Sequence, residues 1–324
     1  MQNGQVVHAF SRTLMDLYHL ADGAGPEEFP REVLALLHPW IAFDGAVFGM
    51  GEALPANDLR VSDAYIHNRA ESMLADYAEI SAEDPVTQSF LNGLQAPLAV
   101  DCDEFYGRRK LAALQDFARR HEMRQLMLYG DPPSADHPGR WLVFYRKNAR
   151  SFGDAETTCL HAAWSHVSRA IDISRSHLLD RLNASTSRRA SALVNRRGVI
   201  EAADPWFVSL LREEWPQHAA RALPSPLREC LESATLYRGT HLEVAIRPQD
   251  NYFLCLARRY DHTARLTPGE ESVARRFASG MSAKEIAREL GISPNTVRNQ
   301  LSSLYVKLDV HDKAALAQRL GSGV

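Results

Sequence analysis

The chain has 324 residues, 45% hydrophobic and 24% charged with a net charge of −3, which is too long for one ordinary core and calls for two or three globular domains. No run approaches the roughly 20 apolar residues of a membrane span, and the start, MQNGQVVHAFSRTLMDLYHL, lacks the basic-then-apolar pattern of a secretory signal, so a cytoplasmic chain is expected. Cys102, Cys159, Cys230 and Cys255 are scattered without a CxxC pair, which favours buried thiols over disulfides or zinc ligands.

In chain order, Phe10, Leu14 and Leu17, then Val33, Leu36 and Leu37, fall at helical spacing. Residues 43–50 and 98–100 read as strands, and 124–130 and 139–146 as adjacent antiparallel strands across a loop. Helices are expected at 69–80, 85–91 and 111–121. A central antiparallel sheet with helices on its faces makes residues 1–182 an α+β module. Its closing helix, from about Asp154 to Leu182, carries Leu160, Trp164, Val167, Ile171, Ser174, Leu178 and Leu182 at steps of mostly four and three. That stripe serves equally for packing on its own sheet or for a coiled coil between subunits.

The polar run 183–189, NASTSRR, marks a boundary. Residues 190–260 then read as a strand, a turn at Arg197-Gly198, a second strand, a helix start at Asp204-Pro205, and two further strands at 239–247 and 251–258. Trp206, Phe207, Leu210, Leu211 and Trp215 could line a pocket there, but core packing is the commoner use of such residues.

The densest local signals lie in residues 264–324. Thr267-Pro268-Gly269-Glu270 has a cap, a proline for the first helical position and a glutamate that closes a capping box. Val273, Ala274 and Phe277 line that helix until Gly280. Ser282-Ala283-Lys284-Glu285 repeats the box and opens a second helix, which ends at Gly291. Ser293-Pro294 starts a third, in which Val297, Leu301, Leu304 and Leu308 make one buried stripe opposite Asn295, Arg298, Asn299, Ser302 and Tyr305. A fourth helix, from about Asp312, offers Leu316 and Leu320. From Arg265 onward nine basic and six acidic residues give +3, against −6 for the rest. A mildly basic end on an acidic body is compatible with nucleic-acid binding.

The run from Leu266 to Leu320 resembles the LuxR/NarL-type helix-turn-helix, through Leu266-Thr267-Pro268, Glu270, Gly280, Ser282, Lys284-Glu285-Ile286-Ala287, Ile292-Ser293, Thr296-Val297, Tyr305 and Lys307-Leu308. Gly269, Ser272 and Gln300 depart from the residues common in that family. The resemblance implies that Arg298, Asn299 and Ser302 face base edges, that Ser282, Lys284, Ser293, Asn295, Thr296 and Lys307 sit near phosphates, and that Leu316 and Leu320 pair two subunits. Residues 1–182 resemble a GAF-type sensor or its relative, the autoinducer-binding domain of LuxR proteins. Tyr77 and Asp84-Pro85-Val86 are similar to that domain's tyrosine and Asp-Pro pair, but at a shorter spacing and with no tryptophan between Asp84 and Trp141. The preferred reading of Asp84-Pro85 is a plain helix start. Residues 190–260 resemble a short PAS domain.

Thirteen histidines supply no metal or catalytic pattern: His161 and His166 are five apart, and no HExxH, phosphate-cradling glycine loop or nucleophile elbow occurs. Asp101-Cys102-Asp103-Glu104 reads as an acidic turn. The expectation is therefore a non-enzymatic regulator with no cofactor. The resemblance implies a homodimer on an inverted-repeat DNA operator, controlled by a small-molecule effector at its α+β sensor region, and meeting RNA polymerase if it is an activator. The alternatives are an enzyme-like or small-molecule-binding protein with a vestigial DNA-binding end, and a partner-controlled regulator without a ligand. Residues that would hold a ligand are unassigned.

Overall fold

The apolar runs at 124–130 and 139–146 are too continuous for strands with one wet face, and the fold supplies the reason. The structure, a computed structural model, describes residues 2–25, 28–54, 58–134, 138–183, 190–218, 222–233, 235–249, 252–260, 266–308 and 310–321. Helices α1 (Gln2–Gly23) and α2 (Phe29–Leu37) precede the hairpin β1 (Gly45–Leu54) and β2 (Asp58–His67). Then come α3 (Ser72–Ala78), α4 (Pro85–Leu91), β3 (Leu98–Asp101), α5 (Cys102–Phe105), α6 (Ala112–Arg120), β4 (Gln125–Asp131) and β5 (Gly139–Arg146). The long α7 (Asp154–Asn183) closes the module. The sheet is antiparallel in the order β2-β1-β5-β4-β3.

Both faces of this sheet are covered. Leu142 and Phe144, with Met127, Tyr129 and Phe48, point into a core filled by Leu17, Val33, Leu37, Leu160, Trp164 and Val167 from α1, α2 and α7. Their alternate neighbours Trp141, Val143 and Tyr145, with Leu126, Leu128 and Val47, face a second core with Met73, Val86, Phe90, Leu114 and Phe117 from α3, α4 and α6. The stripe on α7 is buried from Leu160 through Ser174. Of its two uses left open by spacing, packing on the chain's own sheet is the one observed. Strand β2 was not expected, because Asp58, Arg60, Ser62 and Asp63 interrupt its apolar pattern. An edge strand tolerates such residues, since one side of it is unpaired.

The second sheet comprises β6 (Ala190–Asn195), β7 (Ile200–Ala203), β8 (Tyr237–Arg238), β9 (Leu242–Gln249) and β10 (Tyr252–Arg259), in the order β7-β6-β10-β9-β8. Counted along its own strands, this is the order of the first sheet. Gly198 turns β6 into β7 at φ +85°, a conformation that favours glycine. Helices α8 (Pro205–Glu214) and α9 (Ser225–Ser233) lie between β7 and β8. Phe207, Leu210 and Leu211 are core residues, whereas Trp206 is 47% exposed. Helix α9 and the two-residue β8 escaped sequence reading, the former because it buries little beyond Leu227 and Leu231. The guanidinium of Arg175 on α7 pairs with Glu201 of β7 at 2.8 Å and reaches the Tyr252 hydroxyl of β10 at 3.3 Å.

The remainder is all helical: α10 (Pro268–Ala278), α11 (Ala283–Leu290), α12 (Pro294–Leu308) and α13 (Lys313–Gly321). The expected class, antiparallel α+β sheets followed by an all-α end, is the one observed. Of the expected joint, residues 184–189 lie outside the described residues. By compactness the chain divides into Met1–Val208 with Gln217–Thr235 and Ile246–Leu256, and Ser209–Pro216 with Leu236–Ala245 and Ala257–Val324. Cys102 and Cys255 are buried, which pushes both thiols up to about 12, while Cys159 and Cys230 are only half-buried. No helix among the described residues is long and apolar enough to cross a membrane.

Candidate functional site

The C-terminal helices are set by local chemistry. Thr267 and Glu270 form the reciprocal capping box at α10, and Ser282 and Glu285 form the one at α11, each satisfying two otherwise orphaned amides. Gly291, at φ +68°, turns the chain from α11 to α12 within three residues. Ser293 caps α12 by accepting from the Thr296 amide at 3.0 Å. Val297, Leu301, Leu304 and Leu308 then pack with Val273, Ala274, Ile286 and Ala287 into one small core.

That packing turns the other side of α12 outward. Asn295, Thr296, Arg298, Asn299 and Ser302 are all exposed, as are Ser282, Lys284 and Ser293. Lys284 and Arg298 form no ion pair among the described residues, so their charges are available to a ligand. Tyr305 is half-buried against the core rather than open on this face.

Two other expected positions are engaged within the chain. The Lys307 ammonium lies 2.7 and 2.8 Å from the two oxygens of Glu270, a residue 8% exposed that also accepts from the Thr267 amide and Ser303 hydroxyl. The Lys307 hydrogen bond and the Thr267 amide hold the Glu270 carboxyl down at about 2. Lys307 thus braces the end of α12 against the start of α10, a role its charge alone did not reveal. Leu316 and Leu320 are 0% and 7% exposed and belong to this same core. Their side chains are occupied inside one chain. On α13, Ala314 is exposed and Lys313, Ala315 and Ala317 are half-buried.

A second site was not found from sequence. Between the second face of the first sheet and helices α3, α4 and α6 lies a cavity of about 600 Å³, within the range of small-molecule sites. Strands β1, β2, β4 and β5 supply Val47, Val61, Leu126, Leu128, Trp141 and Val143, and the helices supply Met73, Phe90 and Phe117. At Gly49 of β1 a Cβ atom would overlap the Trp141 ring, so glycine lets the indole lie against the strand.

The polar part of the lining centres on Asp84, 3% exposed. Asp84 does start α4, its Oδ1 accepting from the Val86 amide at 2.9 Å. It also accepts from the Tyr106 hydroxyl at 3.0 Å and the Tyr77 hydroxyl at 2.6 Å, and Tyr77 touches the Thr87 hydroxyl at 2.6 Å. Burial pushes the Asp84 carboxyl up against the lowering effect of those hydrogen bonds, and burial beside Asp84 pushes both tyrosines up. The helix-cap reading was therefore incomplete. The missing signal was Tyr106, 22 residues away, which only the fold brings to the same carboxylate. Among the described residues no group of three or more His, Cys, Asp or Glu is placed to hold a metal ion.

Residues 264–320 match the family described as bacterial regulatory proteins, luxR family. The transcriptional regulatory protein UhpA of Escherichia coli (strain K12) is 47% identical over 58 residues, which cover 18% of this chain and 30% of UhpA. The probable HTH-type transcriptional regulator GfsR of Streptomyces halstedii is 46% identical over 57 residues, 17% of this chain and 24% of GfsR. The chain thus spans less than a third of the length of these relatives. Among solved structures, Escherichia coli SdiA aligns over 97% of this chain and 97% of its own at 17% identity and a TM-score of 0.41. The capped helices, the outward polar face of α12 and the sequence match converge: residues 264–320 are a LuxR-family helix-turn-helix domain.

Proposed function

We propose that the chain is a cytoplasmic, dimeric transcriptional regulator that reads an inverted DNA repeat through α12 and is controlled by a small molecule in the cavity of its first α+β module. The observation that carries this reading is the exposed row Arg298, Asn299 and Ser302 on a capped helix, together with Lys284, which forms no ion pair among the described residues. Arginine can reach the O6 and N7 of guanine in a bidentate contact, and hydroxyls and helix N-termini suit phosphates. Ser282, Ser293, Asn295 and Thr296 cluster at the starts of α11 and α12, where such phosphates would lie. Lys307 keeps a secondary role, through its brace to Glu270.

The module boundaries that go with this reading are 1–182 for the sensor, 190–260 for the middle sheet and 264–324 for the DNA reader. A subunit contact through α13 would use Ala314 and Ala317, small residues that let two helices approach closely. Effector binding changes how two subunits meet and so how their α12 helices are spaced, which is a coupling between sites.

Selection from a random-sequence duplex pool with the full chain tests the reading. It should enrich an inverted repeat with half-sites about one helical turn apart, bound less tightly as salt rises. A pool that stays random after repeated low-salt rounds contradicts it.

A further inference from the structure

The cations of the helical end divide into those engaged within the chain and those left over. Arg275 pairs with Glu271 at 2.8 Å, Arg276 with Glu289 at 2.9 Å and Lys307 with Glu270 at 2.7 Å. The Lys313 ammonium lies 4.7 Å from the centre of the Phe277 ring. Among the described side chains of α10 to α13, Lys284, Arg288 and Arg298 are the cations in no such contact, and all three are exposed. Lys284 and Arg298 have parts in the DNA reading above, and Arg288 has none.

The core sets where Arg288 points. Ile286 and Ala287 are buried, which turns Lys284 and Arg288, four residues apart on α11, to the outer face together. The acids beside Arg288 are committed elsewhere. The Glu285 carboxylate accepts from the Ser282 amide at 2.7 Å, and Glu289 holds Arg276. Like charges four residues apart destabilise a helix, a cost that an anionic partner across both removes.

We propose that Arg288 is a second phosphate clamp, a role that rests on the DNA-binding reading above. Helix α11 then grips two phosphates of one strand, one through Lys284 and one through Arg288. Four residues of helix rise about 6 Å, while a strand advances about 3.4 Å along the duplex axis per nucleotide. The two side chains are therefore set for phosphates one or two nucleotides apart rather than for a single one. The guanidinium fork can take two oxygens of its phosphate, where the Lys284 ammonium acts as a point charge. An arginine in the last turn of α11 also suits the helix dipole. That role alone would show in melting and not in the salt dependence of binding.

A phosphate clamp does not read sequence, so an arbitrary duplex serves as the probe. Affinities of the full chain across a salt series, for the wild type, Lys284→Gln, Arg288→Gln, the double variant and Arg288→Lys, test the proposal. Arg288→Gln should melt as the wild type does and bind roughly three- to tenfold more weakly at low salt. It should also lose about one unit of salt slope per bound domain, and the double variant about two. Arg288→Lys should keep the wild-type slope. An Arg288→Gln slope equal to the wild type's, or a double variant that loses no more than either single one, overturns the clamp. Operator selection from the random pool, run on the same preparations, separates the two readings. A shallower Arg288→Gln slope upholds the clamp even where no operator emerges, and an unchanged slope beside a well-defined operator removes the clamp alone.

Discussion

The helix-turn-helix domain carries its candidate functional side chains on the outside of a small core, whereas the first module carries a cluster of polar side chains inside a large one. In the former, Val297, Leu301 and Leu304 are buried so that Arg298, Asn299 and Ser302 must point out. In the latter, Tyr77, Asp84, Thr87 and Tyr106 are drawn together within a covered sheet that leaves about 600 Å³ unfilled. An outward site needs only a helix of correct phase, and its residues can change with little effect on the core. An inward site is part of the packing, so every change to it also touches stability.

That difference can be broken most severely at α13. Leu316→Asp would place a carboxylate in a fully buried position and should cost more than the about 2–5 kcal/mol of a leucine-to-alanine cavity. The expected outcome is loss of the helical end's melting transition together with all DNA binding, while the melting transition of the first module persists. A stable fold with DNA affinity alone reduced would return Leu316 to the subunit interface. Ala314→Glu, at an exposed position, should leave melting unchanged and weaken operator binding, checked by melting and gel shift side by side.

A smaller effect is expected at the cavity wall. Gly49→Ala puts a methyl group where the Trp141 ring lies, and overpacking of this kind costs about 1–3 kcal/mol. It should lower the urea midpoint of the full chain and shift its tryptophan fluorescence by displacing the indole. An unchanged midpoint and emission would mean that the strand, not the ring, gives way at no cost.

The smallest effect is confined to acid. Glu270 is held at about 2 in the fold against an ordinary 4.5, chiefly by Lys307. A depressed carboxyl contributes stability that is present above about 4.5 and is lost as pH falls towards about 2. Glu270→Gln should therefore flatten the pH dependence of the domain's urea midpoint across that window, and a slope equal to the wild type's would remove the brace from the account.

The two regions also differed in how far they could be read from sequence. Capping boxes, a turn glycine and a helical stripe are signals within a few residues of one another, so Thr267-Glu270, Ser282-Glu285 and Gly291 were legible along with the face they define. Strands β4 and β5 were legible because burial on both faces makes them continuously apolar. Strand β2 was not, since its edge position admits Asp58, Arg60 and Asp63. Nor was the cavity, whose wall draws on residues from Val47 to Arg197 and from β2 through three helices. The engagement of Lys307 by Glu270, 37 positions earlier, and the burial of Leu316 depend likewise on how helices pack. Periodicity reports that a face is buried, but not what covers it.

The central claim is that α12 reads bases while the start of α11 holds the backbone. Affinities of Arg298→Ala and Lys284→Ala for a panel of single-base operator variants, each at several salt concentrations, test it most directly. Arg298→Ala should cost about 1–3 kcal/mol on the true operator and relax discrimination at one base pair. Lys284→Ala should weaken all sequences about equally and shrink the salt slope by about one unit. If Arg298→Ala instead lowers every affinity by the same factor and keeps the order of preference, Arg298 only grips phosphate, and the account of α12 as the reader through this residue is wrong.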